Sequence, residues 1–267
     1  MLSDFLKEVV QYKKKLNKKK EAFYEGLKRN TSKTKLTRYR LFREAISKPR
    51  RINLIAEIKK ASPSQGLICK KFDALKIADT YVENKCDAIS VLTEDKFFLG
   101  SFRYLRQVTD QFAVPVLTKD FIIEEGQVYE AFCFGASAIL LIVAILSDEQ
   151  LTTLMQIAAR LDLDCLVEVH DEKELDRALH AKADIIGINH RNLRTLDVDL
   201  KVSEKLIPRI PSGKIIVAES GIKSHQDVLR LKELGAHAVL IGESFLREAD
   251  VGGRLREIMY GDKDKRP

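Results

Sequence analysis

From residue 52 onward the chain repeats one alternation eight times: a short β-branched apolar run, a polar loop, then a stretch whose apolar residues recur at helical spacing. The runs are Ile52 to Ile58, Cys86 to Leu92, Val114 to Leu117, Ala138 to Val143, Cys165 to Val169, Ile185 to Ile188, Ile215 to Val217 and Ala238 to Ile241. Helical spacing follows over 72–83, 101–110, 124–134, 148–161, 171–181, 200–207, 224–234 and 244–259. Strands that alternate with helices imply parallel neighbours and right-handed crossovers, and a run as continuously apolar as Ile139-Leu140-Leu141-Ile142-Val143 implies cover on both faces. Eight such units close a (β/α)8 TIM barrel, an α/β fold that commonly occupies about 250 residues as a single domain. A doubly wound open sheet is the rival architecture. Its G-x-G-x-x-G fingerprint does not follow the first run, and no G-x-x-x-x-G-K-[ST] loop occurs.

Local punctuation agrees with these units. Ser147 and Ser224 precede helical stretches and offer a hydroxyl to orphan backbone N–H groups. Phe134-Gly135-Ala136 and Leu234-Gly235-Ala236 each close a helix directly before a strand, where a left-handed glycine is expected.

Residues 1–51 stand outside the alternation and are read as a basic helical extension packed on the barrel, with residues 52–267 as the barrel's catalytic domain. The net charge of +7 comes entirely from this extension, which holds 17 Lys and Arg against five Asp and Glu, while the remainder is net acidic. Phe5, Val9, Tyr12 and Leu16 form its apolar stripe. Lys13-Lys14-Lys15 and Lys18-Lys19-Lys20 read either as an RNA- or membrane-binding arm or as a solvated helix face. The acidic body offers no partner groove for nucleic acid, so the solvated face is expected, with neither nucleic acid nor membrane as partner. Cys69, Cys86, Cys133 and Cys165 are too scattered for a zinc site and suit a reducing compartment. The first residues lack a signal-peptide core, and the longest apolar run, Ala138 to Leu146, is too short to span a bilayer, so a cytoplasmic location is expected.

In a barrel of this kind the active site lies at the C-terminal ends of the strands. There the first run carries Glu57 and Lys59, which share a side because alternation has period two. The third ends in Thr118-Lys119-Asp120-Phe121, the fifth in Glu168-Val169-His170, the sixth in Asn189 and the seventh in Glu219-Ser220-Gly221. Two lysines, three glutamates and an asparagine thus converge on one mouth, an arrangement too costly to bury unless the groups pair or perform chemistry. His170 and His190 adjoin these positions; both are expected to turn out of the mouth and read as structural.

Gly221 after the seventh run and Gly242-Glu243-Ser244 after the eighth leave room for backbone N–H groups to approach a phosphate. The loop Ala61-Ser62-Pro63-Ser64-Gln65-Gly66, just after Glu57 and Lys59, reads as a lid.

Five segments in order, Ile55 to Ser64, Thr118 to Phe121, Leu166 to His170, Gly187 to Leu193 and Ala218 to Ile222, resemble those of the indole-3-glycerol-phosphate synthase family of tryptophan biosynthesis. The resemblance covers residues 40 to 259 and touches the extension only loosely. It implies ring closure of 1-(2-carboxyphenylamino)-1-deoxyribulose 5-phosphate to indole-3-glycerol phosphate, carbon dioxide and water, with no cofactor and no metal. Carried over, Lys119 is the general acid, and Glu168 with Lys59 serves proton removal and loss of the hydroxyl. Glu57 and Asn189 hold them, and Glu219 and Ser220 close the site. Phe98, Phe121, Leu140 and Leu193 line the aromatic pocket, and Ser62 and Arg191 stand near the anionic ends. Lys59, Gly221, Leu240, Gly242 and Glu243 receive the phosphate. Glu243 departs from the serine found in several members, so its backbone rather than its side chain is expected to serve. The partner is a small phosphorylated substrate, the oligomeric state a monomer or weak homodimer. The rivals are another phosphate-binding barrel, an isomerase or lyase, and a non-catalytic barrel with a basic RNA-binding arm. Related barrels with Cys/Asp or Glu/Asp acid–base pairs do not use lysines at the ends of strands 1 and 3.

Overall fold

A computed structural model describes residues 3–31, 41–69, 71–193 and 195–261. The ends of both expected units, residues 1–2 and 262–267, and the link 32–40 lie outside the described residues.

Eight strands form one closed, wholly parallel barrel: β1 (Asn53–Ile58), β2 (Ala88–Leu92), β3 (Val116–Lys119), β4 (Ala138–Ile142), β5 (Asp164–Val169), β6 (Ile185–Asn189), β7 (Ile215–Glu219) and β8 (Ala238–Ile241). Each strand pairs with its chain neighbour and β1 pairs with β8, which leaves no free edge. The open-sheet rival is thereby excluded.

Alternation along each strand sorts the core into two shells. Leu54, Ala56 and Ile58 of β1, Ile139 and Leu141 of β4, and Val167 and Val169 of β5 point outward into the layer under the helices. Ile55, Leu140, Leu166, Val217 and Leu240 point inward and fill the barrel. Residues of the inward set at the last position of a strand have no further layer above them, so they face the mouth.

The helices α1 (Asp4–Lys19), α2 (Glu21–Thr31) and α3 (Leu41–Ala45) precede the barrel. Around it lie α4 (Ala74–Glu83), α5 (Phe102–Gln111), α6 (Glu125–Cys133), α7 (Asp148–Arg160), α8 (Glu172–His180), α9 (Lys201–Leu206) and α10 (His225–Leu234). Ser147 and Ser224 cap α7 and α10 through reciprocal capping boxes, and Gly135 and Gly235 take the left-handed conformation. The last expected helix, 244–259, is instead two: α11 (Glu243–Leu246) and α12 (Val251–Tyr260). Asp250 starts the second by accepting from the Gly253 N–H at 2.8 Å, which breaks the run.

The extension meets both ends of the barrel. Phe42 and Ile46 are fully buried in the barrel's interior cluster, and the Arg43 N–H donates to Asp164 Oδ2 at 2.8 Å, at the start of β5. At the other end α1 buries Leu6, Val9, Lys13 and Asn17 rather than the stripe Phe5, Val9, Tyr12 and Leu16. The helix is rotated because the barrel offers it polar partners: Lys13 Nζ lies 2.5 Å from Asp120 Oδ1, and Asn17 Nδ2 donates to Gln127 Oε1 at 3.0 Å. Among the described residues no helix is long and apolar enough to cross a membrane.

Candidate active site

A cavity of about 290 Å³ opens at the C-terminal ends of the strands, and every site residue named from the sequence lines it. Glu57, Lys59, Lys119, Glu168, Asn189, Glu219 and Ser220 meet there with Ser62, Phe98, Phe121, Leu140, Arg191 and Leu193, and with Gly221, Leu240, Gly242 and Glu243. Residues from β1, β3, β5, β6, β7 and β8 thus reach one volume although up to 186 positions separate Glu57 from Glu243 in the chain.

Two ionic groups occupy its floor. Lys59 Nζ donates to Glu57 Oε1 at 2.6 Å. Lys119 Nζ donates to Glu168 Oε2 at 3.2 Å and, more closely, to Glu219 Oε2. Asn189 Nδ2 donates to Glu168 Oε1 at 3.1 Å, while its Oδ1 accepts from the Arg191 N–H at 3.0 Å. All three glutamates are nearly closed to solvent, whereas the lysine side chains keep 14% and 15% of their surface, enough to present a proton to a bound molecule.

Burial would lower the proton affinity of Lys119, but Glu219, Glu168 and Glu57 together outweigh it and keep the ammonium protonated. Burial likewise works to raise Glu168. Lys119, His170 and Asn189 overcome it and hold that carboxylate well below its usual range. Glu219 goes the other way although it touches Lys119 more closely: burial and the charge of Glu168 push it up, and its buried Oε1 finds no hydrogen-bond partner. One cation thus stands between two carboxylates of unequal character, Glu168 ionised and Glu219 the readier to hold a proton.

One wall is apolar. Phe98 and Phe121 pack with ring centroids 6.0 Å apart, and Phe5, from α1, meets Phe121 edge-on at 6.4 Å. Phe5 lines the cavity itself, a contribution that strand-end alternation could not reveal because α1 lies outside the repeat.

The opposite wall is built from backbone. Ser220 and Gly221 both adopt positive φ, 68° and 78°, which turns successive N–H groups toward one side. For Ser220 this is an uncommon conformation, and His190 holds it, with Nδ1 donating to the Ser220 carbonyl at 2.8 Å and Nε2 accepting from Ser203 Oγ at 2.7 Å. Gly242 is needed for close approach, since a β-carbon there would lie 2.7 Å from Glu57 Cβ. The Glu243 carboxylate turns to guanidinium groups, with Arg247 Nη2 at 3.0 Å and Arg191 Nη2 at 3.9 Å. Arg247 in turn donates to Gln65, in the short hairpin of Ala61–Ser62 and Gly66–Leu67 that follows Lys59.

His170 lies outside the cavity lining, beside Glu168. β5 ends at Val169, so alternation no longer governs the next side chain, and the imidazole folds back with Nε2 3.2 Å from Glu168 Oε1. Among the described residues no three His, Cys, Asp or Glu side chains are grouped so as to hold a metal ion, and the four cysteines are free.

Known proteins share both the sequence and the architecture. The model of one protein family, described as indole-3-glycerol phosphate synthase, matches residues 6–258. A protein of that name from Acetivibrio thermocellus is 55% identical over 206 residues, 77% of this chain and 79% of its own. Another, from Caldanaerobacter subterraneus subsp. tengcongensis, is 49% identical over 258 residues, 95% of this chain and 97% of its own. Solved structures alike in fold include 3-hexulose-6-phosphate synthase from Salmonella typhimurium, with TM-score 0.60, 16% identity and coverage of 78% of this chain and 97% of that one. A second, KGPDC from Streptococcus mutans, has TM-score 0.60, 12% identity and coverage of 77% and 94%.

Proposed function

The chain belongs to the indole-3-glycerol phosphate synthase family, and we propose that its cluster of Lys119, Glu168, Glu219, Lys59 and Glu57 performs the family's ring closure. The activity is that of a carboxy-lyase of tryptophan biosynthesis, and the substrate is a small phosphorylated molecule.

The observation that carries this reading is the placement of Lys119 between the buried carboxylates of Glu168, 3.2 Å away, and Glu219, in one cavity with the Lys59–Glu57 pair. Ring closure needs an acid first: the aromatic carbon bearing the carboxylate attacks the ketone carbon, and the ketone oxygen takes the Lys119 proton to become a hydroxyl. Loss of the carboxylate as carbon dioxide then returns the electron pair to the ring and restores its aromaticity. Glu168 removes the proton from the carbon next to the ring nitrogen as Lys59 protonates the departing hydroxyl, so that water leaves and the indole double bond forms. Glu57 fixes Lys59, and Asn189 fixes Glu168. Glu219 and Ser220 close the site around Lys119.

Phe98, Phe121, Leu140 and Leu193 take the benzene ring, while Arg191 and Ser62 face the anionic ends. Gly221, Leu240, Gly242 and the Glu243 N–H receive the phosphate with Lys59, a reading supported by the ends of β7 and β8 lining the cavity together. No cofactor or metal enters the scheme.

The extension, residues 1–51, serves the barrel domain, residues 52–267, and not a separate partner. Lys13, Lys20 and Lys28 are engaged with Asp120, Glu130 and Glu125 of the barrel, which supports an extension packed on the barrel; we take the chain to bind neither nucleic acid nor membrane and to work in the cytoplasm as a monomer or weak homodimer.

The test is fluorescence-detected formation of indole-3-glycerol phosphate from the carboxyphenylamino substrate. Wild type turns over, and Lys119→Ala and Glu168→Gln each lose about 100-fold or more. Folded wild-type protein that forms no product would overturn the reading.

A further inference from the structure

Both ring nitrogens of His170 face carboxylates. Nδ1 lies 2.9 Å from Glu174 Oε2, and Nε2, closed to solvent, lies 3.2 Å from Glu168 Oε1 without the alignment of a full hydrogen bond. A neutral imidazole would set a lone pair against one of these anions, whereas an imidazolium presents N–H to both. Glu174 is committed to this clamp: the same Oε2 also accepts the His170 backbone N–H at 2.9 Å, and the Glu174 N–H is held by Asp171 Oδ1 at 2.9 Å.

Among the described residues no lysine or arginine pairs with Glu174. Arg177, one turn further along α8, is spent on Asp148 and on the carbonyls of Val143 and Leu146. On the far side of Glu168 stand Lys119, then Glu219 and Glu57, with the neutral Asn189 beside them. Burial opposes charging the imidazole, but Glu168 and Glu174 prevail and push it up to about 10. The ring stands behind Glu168, outside the cavity lining.

We propose that His170, clamped by Glu174, is a positioning residue that keeps Glu168 ionised while Lys119 gives up its proton. The inference rests on the catalytic roles proposed above. Lys119 is the other cation on Glu168, and once its proton has passed to the ketone oxygen, the carboxylate that must next act as base has lost that counter-charge. Without a second fixed cation its proton affinity would climb at the moment it is needed. The imidazolium supplies that charge from a position substrate does not reach.

The experiment compares pH–rate profiles of the full-length enzyme for wild type, His170→Asn and Glu174→Gln, with Glu168→Gln as reference. Removing a cation beside Glu168 raises its proton affinity, so the acid limb of kcat moves to higher pH, by about one unit for His170→Asn and in the same direction but less for Glu174→Gln. Below that limb kcat falls up to about 10-fold in His170→Asn, while on the plateau above it kcat and KM each stay within about twofold of wild type. A merely structural histidine would alter the height of the profile and leave its acid limb in place. An unmoved limb in both variants, with Glu168→Gln inactive, overturns the role of His170 and leaves the proposed function standing. Full activity in Glu168→Gln overturns the assignment of Glu168 itself, and the role of His170 with it. Should His170→Asn fail to fold, the limb of Glu174→Gln decides.

Discussion

The carboxylate of Glu219 fills the space that a β-carbon on Gly187 would need. Gly187 sits on β6 in register with Glu168 on one side and Val217 on the other, so its missing side chain is what lets Glu219 lean across the barrel toward Lys119. Gly187→Ala should therefore displace Glu219 and cut kcat about 10-fold or more, with a modest stability loss of about 1–3 kcal/mol from overpacking. Steady-state kinetics with a thermal melt checks this. Unchanged kcat would mean that Glu219 has no fixed place in the mechanism.

The pairing of Lys13 with Asp120 is a buried ion pair between the extension and the barrel. Both side chains are almost wholly buried, and Asp120 keeps only Thr93 Oγ1 at 2.8 Å and its own segment's Phe121 N–H at 2.7 Å when the lysine is gone. Lys13→Met strands that carboxylate and should cost about 3–5 kcal/mol, with Lys13→Met/Asp120→Asn recovering about half. Urea midpoints read the cycle. A loss below about 0.5 kcal/mol in the single variant would show that the extension does not depend on this contact.

How much of this was legible in the sequence follows from what period-two alternation governs. Glu57, Lys119, Glu168, Asn189 and Glu219 lie within strands, so the outward packing of Ile58, Thr118, Val167, Ile188 and Ala218 forces them inward, and the mouth is legible in the sequence. Past the strand end the rule lapses. His170 follows Val169, the last residue of β5, and its direction is set by Glu174 on the next helix, a contact no periodicity encodes. The buried face of the extension differs from its apolar stripe for a related reason. Hydropathy picks out Phe5, Val9, Tyr12 and Leu16, whereas the buried face includes Lys13 and Asn17, whose partners Asp120 and Gln127 lie more than a hundred residues away.

His190 links stability to pH. It bridges the Ser220 carbonyl and Ser203 Oγ as a neutral ring, and burial holds its proton affinity below the ordinary value. The unfolded ring takes up a proton near pH 6.5 while the folded ring resists. This contribution is full above about pH 6.5 and is lost as pH falls toward and through the lower folded value. Denaturant midpoints at about pH 7.5, 6.5 and 5.5 should fall more steeply for wild type than for His190→Gln. Parallel slopes would remove His190 as the source.

Glu243 places a carboxylate within the proposed phosphate loop, and Arg247 and Arg191 share its charge. Glu243→Ser removes an anion and frees both guanidinium groups, so KM should drop severalfold at low ionic strength, with the difference shrinking as salt screens it. A raised KM would instead show that Glu243 organises the loop for phosphate.

The central claim is that Lys119 serves ring closure and Glu168 the later loss of water. Single-turnover reactions with substrate labelled in its carboxylate separate the two, by counting released carbon dioxide beside the indole signal. Lys119→Ala should release almost none and form no indole, whereas Glu168→Gln should release carbon dioxide without matching indole. Carbon dioxide released at the wild-type rate by Lys119→Ala, or none released by Glu168→Gln, would contradict this division of labour.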